Sequence, residues 1–170
     1  VTDGAAPHPA KHDFRKVFGH LPTGVVVVTG RAPSGEPHGI TIGSFVSISL
    51  EPPLAGFFIG RSSRTWPLIA SSGKFCANVL AATQSDLCWR FAKDSVEGSR
   101  FGDLRIEASA NGSPVLPGVI ATVDCSVHSL QQVGDHDLVV GAVTDLRVLD
   151  GDQPAMVFFK GKTGNAHIDG

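Results

Sequence analysis

Gly39-Ile-Thr-Ile-Gly-Ser-Phe-Val-Ser-Ile-Ser-Leu-Glu-Pro-Pro-Leu54 is the stretch on which the fold of this chain turns. Ile40, Ile42, Phe45, Ile48 and Leu50 interleave with Thr and Ser, which predicts a strand over residues 39–50. Thr41, Gly43, Ser47 and Ser49 give that strand one face of small and hydroxyl-bearing groups, against which a flat ligand can approach the backbone, while the other face packs. Pro52 and Pro53 are expected to break the pairing, and Leu54 to Ile59 reads as a further strand, buried on both faces.

Working outward, Val25 to Thr29 is a β-branched run that pairs with the 39–50 strand through a turn at Pro33, Ser34 and Gly35. Before it, Phe14, Val17, Phe18 and Leu21 recur at helical spacing and predict a short amphipathic helix over 12–20, stopping near Pro22. After it, Thr65 is placed to cap a helix over 66–72, with Pro67 in its first turn and Gly73 at its end. Residues 75–80 read as a strand. Thr83 opens a second helix through Ala92, with Asp86 three residues on. Residues 94–118, which include Gly98, form a loop-rich stretch, and strands follow at 119–131, 138–149 and 154–160, the first two joined at Gly134-Asp135. The fold class is mainly β with short helices, an antiparallel barrel of about seven strands. No GxGxxG occurs, which argues against a doubly wound dinucleotide fold.

The 170 residues carry 14 Lys and Arg against 16 Asp and Glu, with 18% charged and 42% apolar residues. One domain is expected over 12–170, with 1–11 as a flexible tail. No basic face is available for phosphate backbones, so nucleic acid is not a partner. The apolar runs fall far short of the roughly 20 residues of a membrane span, and the polar start lacks a secretory segment, which together predict a cytoplasmic protein. So much apolar composition in a small chain predicts a homo-oligomer. Cys76, Cys88 and Cys125 are widely spaced, without a CxxC pair, and are expected reduced and buried.

Several short motifs fail on inspection. Gly161-Lys162-Thr163 lacks the P-loop's earlier glycine, because Met156 stands at that position. Ser71-x-x-Lys74 with Lys162-Thr163-Gly164 imitates a serine acyl enzyme, but Ser85-Asp86 is followed by Leu87 instead of Asn. Asn111-Gly112-Ser113 is a sequon followed by Pro114. The histidines show no metal-ligand spacing, and His8, His12, His20 and His167 read as solvated side chains. Arg61-Ser62-Ser63-Arg64-Thr65 places two guanidinium groups and three hydroxyls just before a helix N-terminus, which suits a phosphate; ordinary capping with solvated arginines accounts for the same residues. His136 follows the Gly134-Asp135 turn and projects from the end of a hairpin, and taken alone it is an incidental residue of that turn.

Taken in order, these segments resemble the flavin reductase family with the FMN-binding split-barrel fold, the reductase component of two-component flavin-dependent monooxygenases. The resemblance rests on Phe14-Arg15, Pro22 to Thr29, Gly39 to Leu54, Ser62 to Thr65, Ser72 to Leu80, Arg100-Phe101, Gly134-Asp135-His136 and Phe158 to Lys162. It implies an antiparallel split β-barrel, and hydride transfer from NADH, or NADPH, to FAD or FMN. That reaction asks for two stacked rings about 3 to 3.5 Å apart, with the electronic work done by the cofactor, so no triad or carboxylate pair is needed. The resemblance places Thr41, Ile42, Gly43, Ser44, Phe45, Ser47, Ile48 and Ser49 along the isoalloxazine ring. It places Arg61, Ser62, Ser63 and Thr65 on the flavin phosphate or ribityl chain, Arg100 and Phe101 in a loop near the flavin, and His136 beside the nicotinamide as the catalytic-site residue. No metal is implied. The implied partners are a second copy, in a homodimer, and a monooxygenase component that receives reduced flavin. The chain departs from the family at Gly43, where a polar residue is common, and at Thr163, where many members have Tyr. These departures support a competing reading, a split barrel that binds flavin or haem without reducing it.

Overall fold

The computed structural model describes residues 8–93 and 100–166. Most of the expected tail, Gly98 and His167 lie outside the described residues. In chain order the elements are α1 (Lys11–Phe18), β1 (Thr23–Gly24), β2 (Val26–Arg31), β3 (Pro37–Ile42), β4 (Val46–Leu50), β5 (Pro53–Gly60), α2 (Trp66–Ala70), β6 (Lys74–Val79), α3 (Ser85–Ala92), β7 (Glu107–Ala108), β8 (Pro114–Val115), β9 (Ala121–Val133), β10 (His136–Val148), β11 (Met156–Phe159) and β12 (Lys162–Asn165). Seven strands make one antiparallel sheet in the order β3-β2-β6-β9-β10-β5-β4, β1-β11-β12 make a second, and β7-β8 a third.

The expected single strand over 39–50 is two strands, and the break defines the fold. β3 and β4 stand at opposite ends of the seven-strand order, yet only Gly43, Ser44 and Phe45 join them. Laid flat, the sheet would hold those edges about 29 Å apart at a strand spacing of about 4.8 Å. The chain from Ile42 to Val46 reaches at most about 15 Å. The sheet therefore curls until its two edges approach, giving an antiparallel barrel left unclosed along one seam, a split barrel. Ser44 fastens the crossing: its hydroxyl accepts the Phe58 N–H at 3.0 Å and lies 3.3 Å from the Phe58 carbonyl, to which it donates. Val46 pairs with Gly56, so Ser44 extends the β4–β5 ladder by a side chain where the backbone has turned away.

Other expectations shift for local reasons. Pro52 and Pro53 do not end the pairing: Val46 faces Gly56 and Leu50 faces Pro53 in a β4–β5 hairpin that turns at Glu51-Pro52. β5 is not buried on both faces, since Ala55, Phe57 and Ile59 point inward whereas Phe58 is half exposed on the outer face. α2 is capped by Ser63, whose Oγ accepts the Trp66 N–H at 3.2 Å, and not by Thr65, which is itself buried. α3 starts after Thr83, and neither Thr83 nor Asp86 caps it. The Gln84 side chain instead accepts the Ala81 N–H at 2.9 Å and donates to the Pro117 carbonyl at 2.7 Å. β12 and the short strands β1, β7 and β8 carry too few residues for their period to register. The Gly134-Asp135 turn joins β9 to β10 as expected, with Gly134 at φ +63.

Both faces of β2 are covered, which explains its unbroken valines. Val26 and Val28 join a cluster around Phe57, Trp66 and Phe75, three rings that meet edge to face at 5.3, 5.6 and 6.1 Å. Val25 and Val27 join a second cluster with Leu80, Phe91, Phe101, Leu116 and Met156. The three cysteines are buried and unpaired, as expected. Burial pushes the Cys76 and Cys125 thiols up, Cys125 to about 12. Among the described residues no helix is long and apolar enough to cross a membrane.

Candidate functional site at the open seam

Beyond the end of β4, β5 loses its backbone partner on the seam side, and a cleft of about 200 Å³ opens there. Ile40 from β3 forms one wall and Ile59 and Gly60 from β5 the other. Ser62, Ser63 and Thr65 enter from the turn after β5, and Phe91, Ala92, Lys93 and Arg100 come from the end of α3 and the segment beyond it. The seam thus brings together an apolar slot, three hydroxyl-bearing residues and two cations.

The turn that presents the hydroxyls is tied on both sides. The Ser63 N–H donates to the Gly60 carbonyl at 2.9 Å, and the Arg61 N–H donates to the Asp135 carbonyl at 3.1 Å. The second bond links the turn to the β9–β10 hairpin, where His136 pairs directly with Gly60 across the β5–β10 ladder. Gly60 carries no side chain in that space. A β-carbon built there would lie 3.9 Å from both His136 Nε2 and Ser62 Oγ, so the imidazole and the hydroxyl flank a patch of bare backbone. His136 Nδ1 stands 2.7 Å from Asp135 Oδ1, and that hydrogen bond from the ring holds the Asp135 carboxyl below the usual carboxylate range. With Nδ1 turned to the carboxylate, Nε2 is the ring nitrogen on the Gly60 side.

Arg100 is positioned by its own hydrogen bonds, with Nη1 donating to the Gly39 carbonyl at 3.3 Å and the Phe91 carbonyl at 3.4 Å. Gly39 is glycine for a packing reason. A β-carbon there would stand 2.8 Å from the Phe91 ring, which is wholly buried.

Of the residues expected at the site, Ser62, Ser63, Thr65 and Arg100 line the cleft, and His136 flanks it. Arg61 is adjacent but turned to Asp137, 3.8 Å from its carboxylate. Phe101 does not reach the cleft: it is buried against Phe91, ring centroids 5.0 Å apart. Ile42 is buried in the barrel, and Phe45 packs near Phe57 at 6.3 Å. Thr41 donates to the Cys88 carbonyl at 2.7 Å, and Ser44 is engaged with Phe58. Ser47, Ile48 and Ser49 lie on β4, on the far side of the crossing, with Ile48 half exposed. Gly43 sits on the crossing against Thr23, whose Oγ1 a β-carbon would approach to 3.1 Å. A side chain there, as is common in the family, would crowd that hydroxyl. Thr163, in the place of the family's tyrosine, bonds Ser85 hydroxyl to hydroxyl at 2.9 Å. Sequence reasoning missed Ile40, Gly60 and Lys93, and the only signal for Lys93 was a cation closing the last turn of a predicted helix.

The donor set fits a phosphorylated planar ligand: hydroxyls and cations at one end, apolar walls along the slot, and bare backbone beside an imidazole. Comparison with known proteins agrees with that chemistry. The model of the flavin reductase like domain matches residues 18–167. The chain is 46% identical over 151 residues to a flavin reductase of Pseudomonas putida, covering 89% of this chain and 87% of that protein. Among solved structures, a homolog of nitrilotriacetate monooxygenase component B from Mycobacterium thermoresistibile aligns with a TM-score of 0.86 at 34% identity, over 92% of this chain and 87% of that one. The NADH:FAD oxidoreductase SgcE6 of Streptomyces globisporus C-1027, in complex with NAD and FAD fragments, aligns with a TM-score of 0.85 at 31% identity, over 96% and 99% of the two chains.

Proposed function

Since the chain belongs to the flavin reductase like family, we propose that it is an NADH-dependent flavin reductase that supplies reduced FAD or FMN to a partner monooxygenase component. The observation that carries this reading is the meeting of Ser62, Ser63, Thr65 and Arg100 with the bare Gly60 backbone and His136 at the unclosed seam of the barrel. Bound flavin supplies the hydride-accepting chemistry. The protein's part is to hold two flat rings in reacting distance.

Ser62, Ser63 and Thr65 donate hydroxyl hydrogen bonds to the flavin phosphate, and Arg100 and Lys93 offset its charge. Ile40 and Ile59 form the apolar walls that exclude water from the slot. Gly60 leaves its backbone open to close approach, and His136 positions the nicotinamide with Nε2 at that patch. Asp135 fixes the ring's orientation through Nδ1.

The protein works as a homodimer in this reading. Val46, Ile48 and Leu50 on the edge strand β4, and Leu146 and Val148 on β10, are all 46% exposed or more, apolar surface of the kind that marks association. A second copy covers it, and light scattering behind a sizing column reads the mass directly. The function itself is tested by following NADH and NADPH oxidation with FMN and with FAD in turn. Turnover with NADH is expected, and no turnover in any of the four combinations would overturn the assignment.

A further inference from the structure

A second cleft of about 400 Å³ adjoins the seam site, sharing Lys93 and Arg100 with it and continuing along Asp86, Trp89 and Arg90. Residues 86, 89, 90 and 93 are spaced i, i+3, i+4 and i+7, so they form one stripe of α3, while Cys88 and Phe91 on other sides of the helix are buried. Trp89 is the anomaly on that polar stripe. It is 44% exposed, backed edge to face by Phe158 at 6.2 Å. Arg90 beside it is held rigidly by Asp103, Nη1 to Oδ1 at 2.7 Å and Nη2 to Oδ2 at 3.1 Å.

From these observations we infer that the α3 stripe is a seat for an adenosine diphosphate group, an extension of the flavin site that reads the adenosine end of a dinucleotide. The inference rests on the proposed flavin-reducing function for its orientation: the phosphate end is at Lys93 and Arg100, the cations common to both clefts. Arg90 faces the second phosphate, the indole of Trp89 stacks the purine, and the Asp86 carboxylate accepts from the ribose hydroxyls or the purine amine. The stripe from residue 93 to residue 86 is about 10 Å long at helical rise, the length over which phosphates, sugar and base must be laid out. Base stacking on an aromatic side chain tolerates any base, so the cations and Asp86 set the preference for the diphosphate and the adenosine.

FAD and NADH both carry this group, and FMN does not, so the test separates the two sources. Trp89→Ala, Trp89→Phe and the parent protein are compared for KM with FAD, FMN and NADH. If the seat serves FAD, Trp89→Ala raises KM for FAD at least fivefold, leaves KM for FMN and NADH within twofold, and Trp89→Phe restores FAD. If it serves NADH, the same pattern appears in KM for NADH with either flavin. KM values for FAD, FMN and NADH that all stay within twofold of the parent in Trp89→Ala would overturn the proposal. ADP alone provides a readout independent of turnover. Its titration should quench the fluorescence of the parent protein and not that of Trp89→Ala, and an ADP response of equal size in both proteins would also overturn the seat. A protein that binds ADP at Trp89 yet oxidises no NADH would retain the seat and reject the reductase reading.

Discussion

Gly60→Ala separates the demands of the fold from those of the site. Gly60 ends β5 and pairs with His136, and the nearest atoms to an added methyl are His136 Nε2 and Ser62 Oγ, each at 3.9 Å. That is ordinary contact, so the fold accepts alanine, and the lost freedom of the unfolded chain adds about 0.4–1 kcal/mol of stability, or about 1–4 °C in Tm for a chain of this size. The site does not accept it. A methyl on the bare patch pushes a ring resting there outward by on the order of 1 Å, and misplacement of that size in a near-attack geometry costs about 10²-fold. Steady-state NADH oxidation beside a thermal melt reads both quantities on one preparation. A variant that melts at or above the parent temperature and keeps kcat/KM for NADH within twofold of the parent would refute the placement of the nicotinamide against Gly60.

Three further outcomes follow from the same geometry. His136→Ala should raise KM for NADH more than it weakens flavin binding, as steady-state kinetics and flavin titration will read; an unchanged KM returns His136 to a plain turn residue. Ser44→Ala removes both hydrogen bonds to Phe58 and should lower stability by about 1–2 kcal/mol in denaturant melts, with flavin binding weakened because the seam is no longer fastened. Asp135→Asn tests the carboxylate that His136 holds below its ordinary value of 3.8. A depressed folded pKa contributes stability that is fully present above that ordinary value and lost as pH falls through the depressed one. The melting difference between parent and variant should therefore be small, present above about pH 4, and vanish in stronger acid; a difference that grows on acidification would contradict the pairing.

Much of the fold was legible because alternation and turn chemistry agree. The valine run of β2, the Gly134-Asp135 hairpin and the hydroxyl cluster after β5 all stand where their patterns put them. The crossing at Gly43-Ser44-Phe45 was not legible, since the alternating pattern continues through it. What breaks the strand is the need to join two edges of a curled sheet, a constraint that no local window contains. Phe101 misled for a related reason: a Phe beside an Arg in a loop-rich stretch gives no sign that Gly39 has left room for it against Phe91. The cap of α2 moved from Thr65 to Ser63 because Thr65 already has helical backbone angles, φ -83 and ψ -40, whereas a capping side chain works from an extended residue. Gly60 was invisible as a site residue, because its role is to lack a side chain where two ladders bring His136 and Ser62 together.

The central claim, that the open seam of this barrel moves a hydride from NADH to flavin, is tested most directly by anaerobic mixing of the protein with oxidised FMN or FAD and one equivalent of NADH. The oxidised flavin absorbance should bleach with loss of the NADH band in equal amount, far faster than in a protein-free control. A flavin that binds at the seam and keeps its oxidised spectrum in the presence of NADH would contradict the account and leave a split barrel that only carries its ligand.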